Sequence, residues 1–219
     1  MRIGILGGTG PAGRGLAVRL ATAGHEVVIG SRDSGRADTI AHALIEEWAD
    51  RRLGLTGAAN DQAASCDIVV VATPWDSAVA TVTPLAGPLR GKVVVSMANA
   101  LVKEGREFLA LLPPRGSVAG SIQAALPHSL VSASLHHLPA SEMEKLTTPV
   151  VGDVMVCSDH PEATAATLSL VDSIDGLRAV DAGSLAQAAP IEAFTAVLVT
   201  INIRHKVHAA VQLVGYGDD

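Results

Sequence analysis

The chain has 219 residues and almost no aromatic ones: Trp48, Trp75, Phe108, Phe194 and Tyr216 are all of them. Single-stranded nucleic acid is usually held by stacking bases on aromatic rings, and this sequence lacks the residues for it. A basic surplus is missing too. The net charge of −6 argues against a general nucleic-acid surface, while leaving room for a local phosphate site. Cysteine is scarce. Cys66 and Cys157 stand far apart in apolar runs, which predicts two buried free thiols rather than a disulfide or a metal pair. No zinc-type spacing occurs. His136 and His137 are neighbours, so on a strand they point to opposite faces and share no metal; no metal site is expected. No apolar run reaches the roughly 20 residues of a membrane span. Residues 191–203 come nearest, but Glu192 and Asn202 lie inside that run and Arg204 ends it. Residues 1–6 already read as a strand, so no secretory leader is expected. The expectation is a cytoplasmic protein with neither membrane nor nucleic-acid partner.

What the chain does have is aliphatic material. At 48% hydrophobic it can build a sizeable core, as one compact domain or as one domain with a small C-terminal extension. Strands are expected at 3–6, 26–30, 53–56 (weakly), 66–72, 93–96, 131–135, 154–157 and 177–180. Helices are expected at 13–23, 36–51, 77–85 (with Asp76 as its cap), 117–126 and 161–174, and one or two more across 188–214. The apolar run Ile68-Val-Val-Val71 fits a strand buried on both faces. Alternation of this kind predicts an α/β fold: a Rossmann-type, doubly wound, mostly parallel sheet with a C-terminal helical extension. The expected division is residues 1–183 as the dinucleotide-binding domain and 184–219 as a helical segment packed on it.

The most specific signal is Gly8-Thr9-Gly10-Pro11-Ala12-Gly13, a G-x-G-x-x-G that follows a strand and opens a helix. Gly8 is expected to make the sharp turn, Gly10 to leave room for a pyrophosphate, and Gly13 to bring helix and strand close. The helix N-terminus then offers amides and a positive dipole end to the anion. In a NAD site an acidic residue ends the second strand and takes the ribose hydroxyls. Here the chain reads Gly30-Ser31-Arg32-Asp33, with Arg36 a turn later. Ser31 can donate to a 2′-phosphate, Arg32 can cover it, and Arg36 adds a second charge, which favours NADP. Asp33 is either the acid of a NAD site or the cap of the next helix. Lys92, Lys103, Lys145 and Lys206 read as solvated. No Tyr-x-x-x-Lys pair or other acid/base engine is apparent, and hydride exchange between two cofactors needs little beyond orientation and dryness.

Four segments carry a family resemblance: Gly7-Gly-Thr-Gly-Pro-Ala-Gly-Arg-Gly-Leu-Ala17, Gly24-His-Glu-Val-Val-Ile-Gly-Ser-Arg32, Cys66-Asp-Ile-Val-Val-Val-Ala-Thr-Pro-Trp75 and Ser134-Leu-His-His-Leu-Pro-Ala140. With Ile174-Asp-Gly-Leu-Arg178 they resemble the NADPH:F420 oxidoreductases across nearly the whole chain. The resemblance implies reversible hydride transfer between NADP(H) and the deazaflavin coenzyme F420. It implies that Thr9, Gly10, Pro11 and Ala12 hold the pyrophosphate and that Ser31, Arg32 and Arg36 hold the 2′-phosphate. Thr73, Pro74, Trp75 and Val79 would flank the cofactor, and Ala98, Asn99, Leu101 and Ala140 would border the nicotinamide. His136 and Leu138 would position the deazaflavin, with Thr195 nearby. Archaeal members carry an arginine where Ala189 stands, so Arg204 or Lys206 would have to grip the anionic tail. A homodimer is expected, with Ala193, Val197 and Ile201 on its face. The competing expectations are another NADP reductase of this fold (flavin/metal or pyrroline-carboxylate type) and a non-catalytic NADP sensor.

Overall fold

The structure, a computed structural model, describes residues 1–217. Its elements run β1 (Arg2–Leu6), α1 (Pro11–Thr22), β2 (Glu26–Ser31), α2 (Ser34–Glu47), β3 (Leu55–Ala59), α3 (Asn60–Ala63), β4 (Ile68–Val71), α4 (Trp75–Val82), α5 (Ala86–Leu89) and β5 (Val93–Ser96). Then come a hairpin of β6 (Leu101–Glu104) and β7 (Glu107–Ala110), α6 (Val118–Ala125), β8 (Leu130–Ala133), α7 (Ala140–Met143), β9 (Gly152–Ser158), α8 (Pro161–Asp172), β10 (Leu177–Asp181) and α9 (Ala188–His205).

One sheet organises the molecule, with strand order β10-β9-β8-β5-β4-β1-β2-β3. Every neighbouring pair is parallel except β8 with β9, which meet antiparallel at Ser132↔Ser158 and Ala133↔Cys157. The strands are buried on both faces, so their side chains divide by period two. Ile3, Ile5, Ile68 and Val70 join the cluster under α1, α2 and α8. Leu6, Val69, Val71 and Val94 join the one under α4 and α6. The chain winds outward from β1 through β2 to β3, then returns to the other side of β1 with β4. The carboxyl ends of β1 and β4 therefore flank a topological switch point, the place where open α/β sheets bind ligands.

Several expectations need correcting. The third strand is Leu55–Ala59, not 53–56, and it pairs with β2 from Val27↔Leu55 to Ser31↔Ala59. Asp76 does not cap α4; Pro74 occupies that position and the helix begins at Trp75. Lys92 is not solvated, because its ammonium donates to the carbonyls of Ala64 and Cys66 at 3.1 and 2.7 Å. The hairpin β6–β7 is not among the expected strands; its one sequence signal is Gly105 (φ 59°), first residue of the two-residue turn. Its strands are largely exposed, and α9 holds them: the Phe108 amide donates to Thr200 Oγ1 at 2.9 Å, and Arg204 pairs with Glu107. That pairing also occupies Arg204, one of the two candidates for an anionic tail.

The last helix is single and stops at His205, where Lys206 turns left-handed (φ 54°). It does not run to 214. The following segment instead straps the sheet: the Asp153 amide donates to the Val211 carbonyl at 2.8 Å, and Arg178 reaches the Leu213 carbonyl at 3.2 Å while holding Asp153. With the turn before it, Leu185–His205 is long and apolar enough to cross a membrane by length and composition, contrary to the shorter run read from sequence. A third of its apolar window lies buried. Glu192, from the middle of that stretch, accepts from the Val118 and Ala119 amides at 2.8 and 3.1 Å, which fastens α9 to the first turn of α6.

Candidate active site

The phosphate loop leaves β1 at its carboxyl end. Gly7, not Gly8, makes the left-handed turn (φ +69°), and a side chain there would also strike Thr73. Gly8 is buried beneath, its amide shared between the carbonyls of Ile5 and Gly30. A Cβ on Gly13 would sit 2.6 Å from Gly8 Cα, so only glycine lets α1 start this close to the loop. Gly10 differs. A Cβ there would approach nothing nearer than 3.7 Å, so the protein leaves that side open, as an incoming pyrophosphate requires. No side chain caps α1, and Pro11 occupies its first turn. The first-turn amides around Ala12 are therefore free to meet an anion.

A cleft of about 280 Å³ opens on this loop, lined by Gly7, Thr9, Gly10, Ser31, Arg32, Arg36, Asn60, Ala72, Thr73, Pro74, Ser77 and Thr81. It joins the ends of β1, β2 and β4. Asp33 is the cap of α2, its Oδ1 accepting the Arg36 amide at 3.0 Å. That leaves Ser31, Arg32 and Arg36 to face the cleft, a donor and two cations suited to a phosphate. Sequence reasoning misses Gly7, Asn60, Ser77 and Thr81. Asn60 is invisible to it because it acts from 53 residues away, its Oδ1 accepting the Gly7 amide at 3.4 Å.

Beyond Thr73 the site changes character. Thr73 Oγ1, Ser96 Oγ, Asn99 Oδ1, both ring nitrogens of His136 and His137 Nδ1 are buried without a hydrogen-bond partner among the described residues. They follow one another along the ends of β4, β5 and β8. Unpaired buried polar atoms are costly, and a run of them on one rim is the mark of a surface built for a polar ligand. Two loops are tied here: Asn99 Nδ2 donates to the His136 carbonyl at 2.9 Å. Leu135, just past β8, is left-handed (φ 66°), a strained conformation that turns the chain into His136. Burial pushes the His136 imidazole down to about 3, so it is neutral at ordinary pH. His137 Nε2 lies 2.8 Å from the Asp153 carbonyl, which places its proton on that nitrogen. Burial lowers the His137 imidazole as well, against the opposing pull of Asp153.

Other expected residues are more scattered. Leu138 is half-buried against the core under α1. Ala140 opens α7, which α1 fastens firmly. Buried Arg19 donates to the carbonyls of Glu142, Met143 and Thr148 at 3.0, 2.9 and 2.8 Å, and Arg14 pairs with Glu144 at 3.3 Å. Trp75 packs beside α4's core face, whereas Val79 is exposed on that helix. Ala98 is buried and Leu101 begins the hairpin. Thr195 is buried on α9 with its hydroxyl donating back to the Ile191 carbonyl at 3.3 Å. Ala189 lines a separate cleft of about 480 Å³ together with Arg115.

Residues 2–100 match a family described as NADP oxidoreductase, coenzyme F420-dependent. The chain is 36% identical over 211 residues to the F420-dependent NADP reductase of Methanocaldococcus jannaschii, covering 94% of each. It is 34% identical over 217 residues to that of Methanothermobacter thermautotrophicus, covering 96% of this chain and 93% of the relative. Among solved structures, a candidate F420-dependent NADP-reductase from Arthrobacter superposes with a TM-score of 0.80 at 27% identity, covering 97% of this chain and 98% of that one. A glycine cradle, a cationic corner and a dry polar rim on one sheet edge thus accompany near-full-length similarity, and the chain belongs to the F420-dependent NADP reductase family.

Proposed function

We propose that this protein is an oxidoreductase that transfers a hydride directly and reversibly between NADP(H) and the deazaflavin coenzyme F420. The observation that carries the reading is the rim from Thr73 to His136: polar, buried, unpartnered, and without a group that titrates near pH 7. Hydride exchange between two carriers needs orientation and exclusion of water, and no proton donor. When bound, the two carriers supply the hydride donor and acceptor. The chain supplies the rest. Gly10 and the first turn of α1 hold the diphosphate, and Ser31, Arg32 and Arg36 hold the 2′-phosphate. Thr73, Pro74, Trp75 and Val79 flank the dinucleotide. Ala98, Asn99, Leu101 and Ala140 border its nicotinamide end. His136, neutral, and Leu138 form the wall for the second ring, and Thr195 of α9 completes its surroundings.

The test mixes purified protein with NADPH and oxidised F420 and follows the visible absorbance of the deazaflavin. Bleaching with NADPH, and far less with NADH, is expected. No bleaching would remove the proposal. The exposed stripe of Phe194, Val197 and Ile201 on α9, with Ala193 beside them, supports a homodimer. Light scattering is expected to give twice the chain mass, and Val197→Asp a monomer; a monomeric wild type removes that expectation.

A further inference from the structure

We infer that Asn99 is the fixed acceptor for the carboxamide N–H group of the nicotinamide ring, and so determines which pyridine analogues the first site tolerates; this rests on the functional reading above. Asn99 stands three residues past β5. The His136 carbonyl can only accept, so the Asn99 amide nitrogen must face it, at 2.9 Å. The side chain cannot turn over without losing that bond. Its Oδ1 is then presented on the other side, buried and accepting from nothing. A carboxamide oxygen has no donor role, so its occupant must bring an N–H or O–H.

The hydroxyls of Thr73 and Ser96 turn to donate or accept, and the His136 ring offers either tautomer. Asn99 Oδ1 and His137 Nδ1 are the acceptors fixed by a second bond; Asn99 follows β5, whereas His137 lies beyond His136 past β8. The place of Asn99 selects the ligand atom. The phosphate loop leaves β1, Thr73 leaves β4 next to it, and Asn99 leaves β5 one strand further, while His136 leaves β8 beyond that. A dinucleotide anchored at Ser31 and Gly10 and running along the strand ends reaches Asn99 with its pyridine end. The donor that a nicotinamide ring carries is its carboxamide N–H.

The experiment measures binding by calorimetry, with no deazaflavin coenzyme present. Wild type, Asn99→Ala and Asn99→Asp are each titrated with NADPH and with the reduced 3-acetylpyridine analogue, which keeps the carbonyl and lacks the N–H. Wild type is expected to favour NADPH by roughly five- to tenfold, the worth of one hydrogen bond in a dry site. Asn99→Ala should bind the two within about twofold. Asn99→Asp keeps acceptor oxygens but loses the N–H that holds them against the His136 carbonyl, so its preference should fall below that of wild type. The same preference in Asn99→Ala as in wild type would overturn the assignment. Intact NADPH binding with an unchanged preference removes only the role of Asn99, whereas a wild type that binds no NADPH removes the functional reading along with it.

Discussion

The two ends of the proposed site are built by opposite means. At the β1–α1–β2 end the working parts are backbone, set within about one βα unit: the turn at Gly7, the open side of Gly10, the close approach at Gly13 and the uncapped start of α1. At the β5–β8 end they are side chains drawn from distant segments. Asn99 reaches across 37 residues to the His136 carbonyl, His137 leans on the Asp153 carbonyl, and the end of α7, the helix Ala140 opens, is held by Arg19 from more than a hundred residues away. A phosphate is satisfied by amides that a local turn can present. A pair of flat rings needs a dry wall, and only tertiary packing excludes water.

The largest test of that contrast is Arg19→Met. It strands the four carbonyls that Arg19 now serves, those of Glu142, Met143, Lys145 and Thr148, which is expected to cost about 4 kcal/mol of unfolding free energy in urea. The KM for the deazaflavin should rise in the surviving fold, while NADPH affinity, held by the backbone loop, changes little. Equal damage at both ends would break the comparison. Next is the latch from α9 to α6. Burial raises the Glu192 carboxyl from 4.5 to about 7, against the pull of its two amide partners. The folded state then binds the extra proton between those values, so this group's contribution to stability falls as pH rises through the window. Glu192→Gln removes that slope. The stability of wild type relative to the variant should drop by about 2 kcal/mol between pH 5 and pH 7.5, read from paired urea curves. A difference that stays flat would show that the latch carries no such proton.

At the phosphate end, Arg32→Ala should weaken NADPH by about 2 kcal/mol and leave NADH nearly unchanged, measured by titration calorimetry. Equal loss for both nucleotides would move Arg32 away from the 2′-phosphate. The smallest expected effect is at the ring wall. Leu138→Ala should slow single-turnover hydride transfer about tenfold, close to 1.4 kcal/mol, with NADP affinity held. An unchanged rate would take Leu138 out of the wall.

Most of the first end is legible in the order of residues along the chain. The glycines and the Ser31-Arg32-Asp33 corner act through close neighbours, and the two readings of Asp33 reduce to one because its carboxylate accepts the Arg36 amide. The sharp turn falls at Gly7, one residue before the glycine that the motif suggests, because φ and not composition decides which glycine turns. The hairpin at Leu101–Ala110 has no apolar alternation to read, since its partner is α9 rather than the sheet. The strap after His205 reads as helix in the sequence, because its apolar residues say nothing of the Asp153–Arg178 pair that receives it.

By itself the sequence determined the alternation of the main-sheet strands with their longer helices, the aliphatic core and the anion cradle, because each follows from side-chain period or from glycines a few residues apart. The tertiary structure alone decided which polar atoms are dry and unpaired, which basic groups are already engaged, and that β9 runs against β8. Those depend on residues far apart in the chain, and burial is a property of the assembled fold.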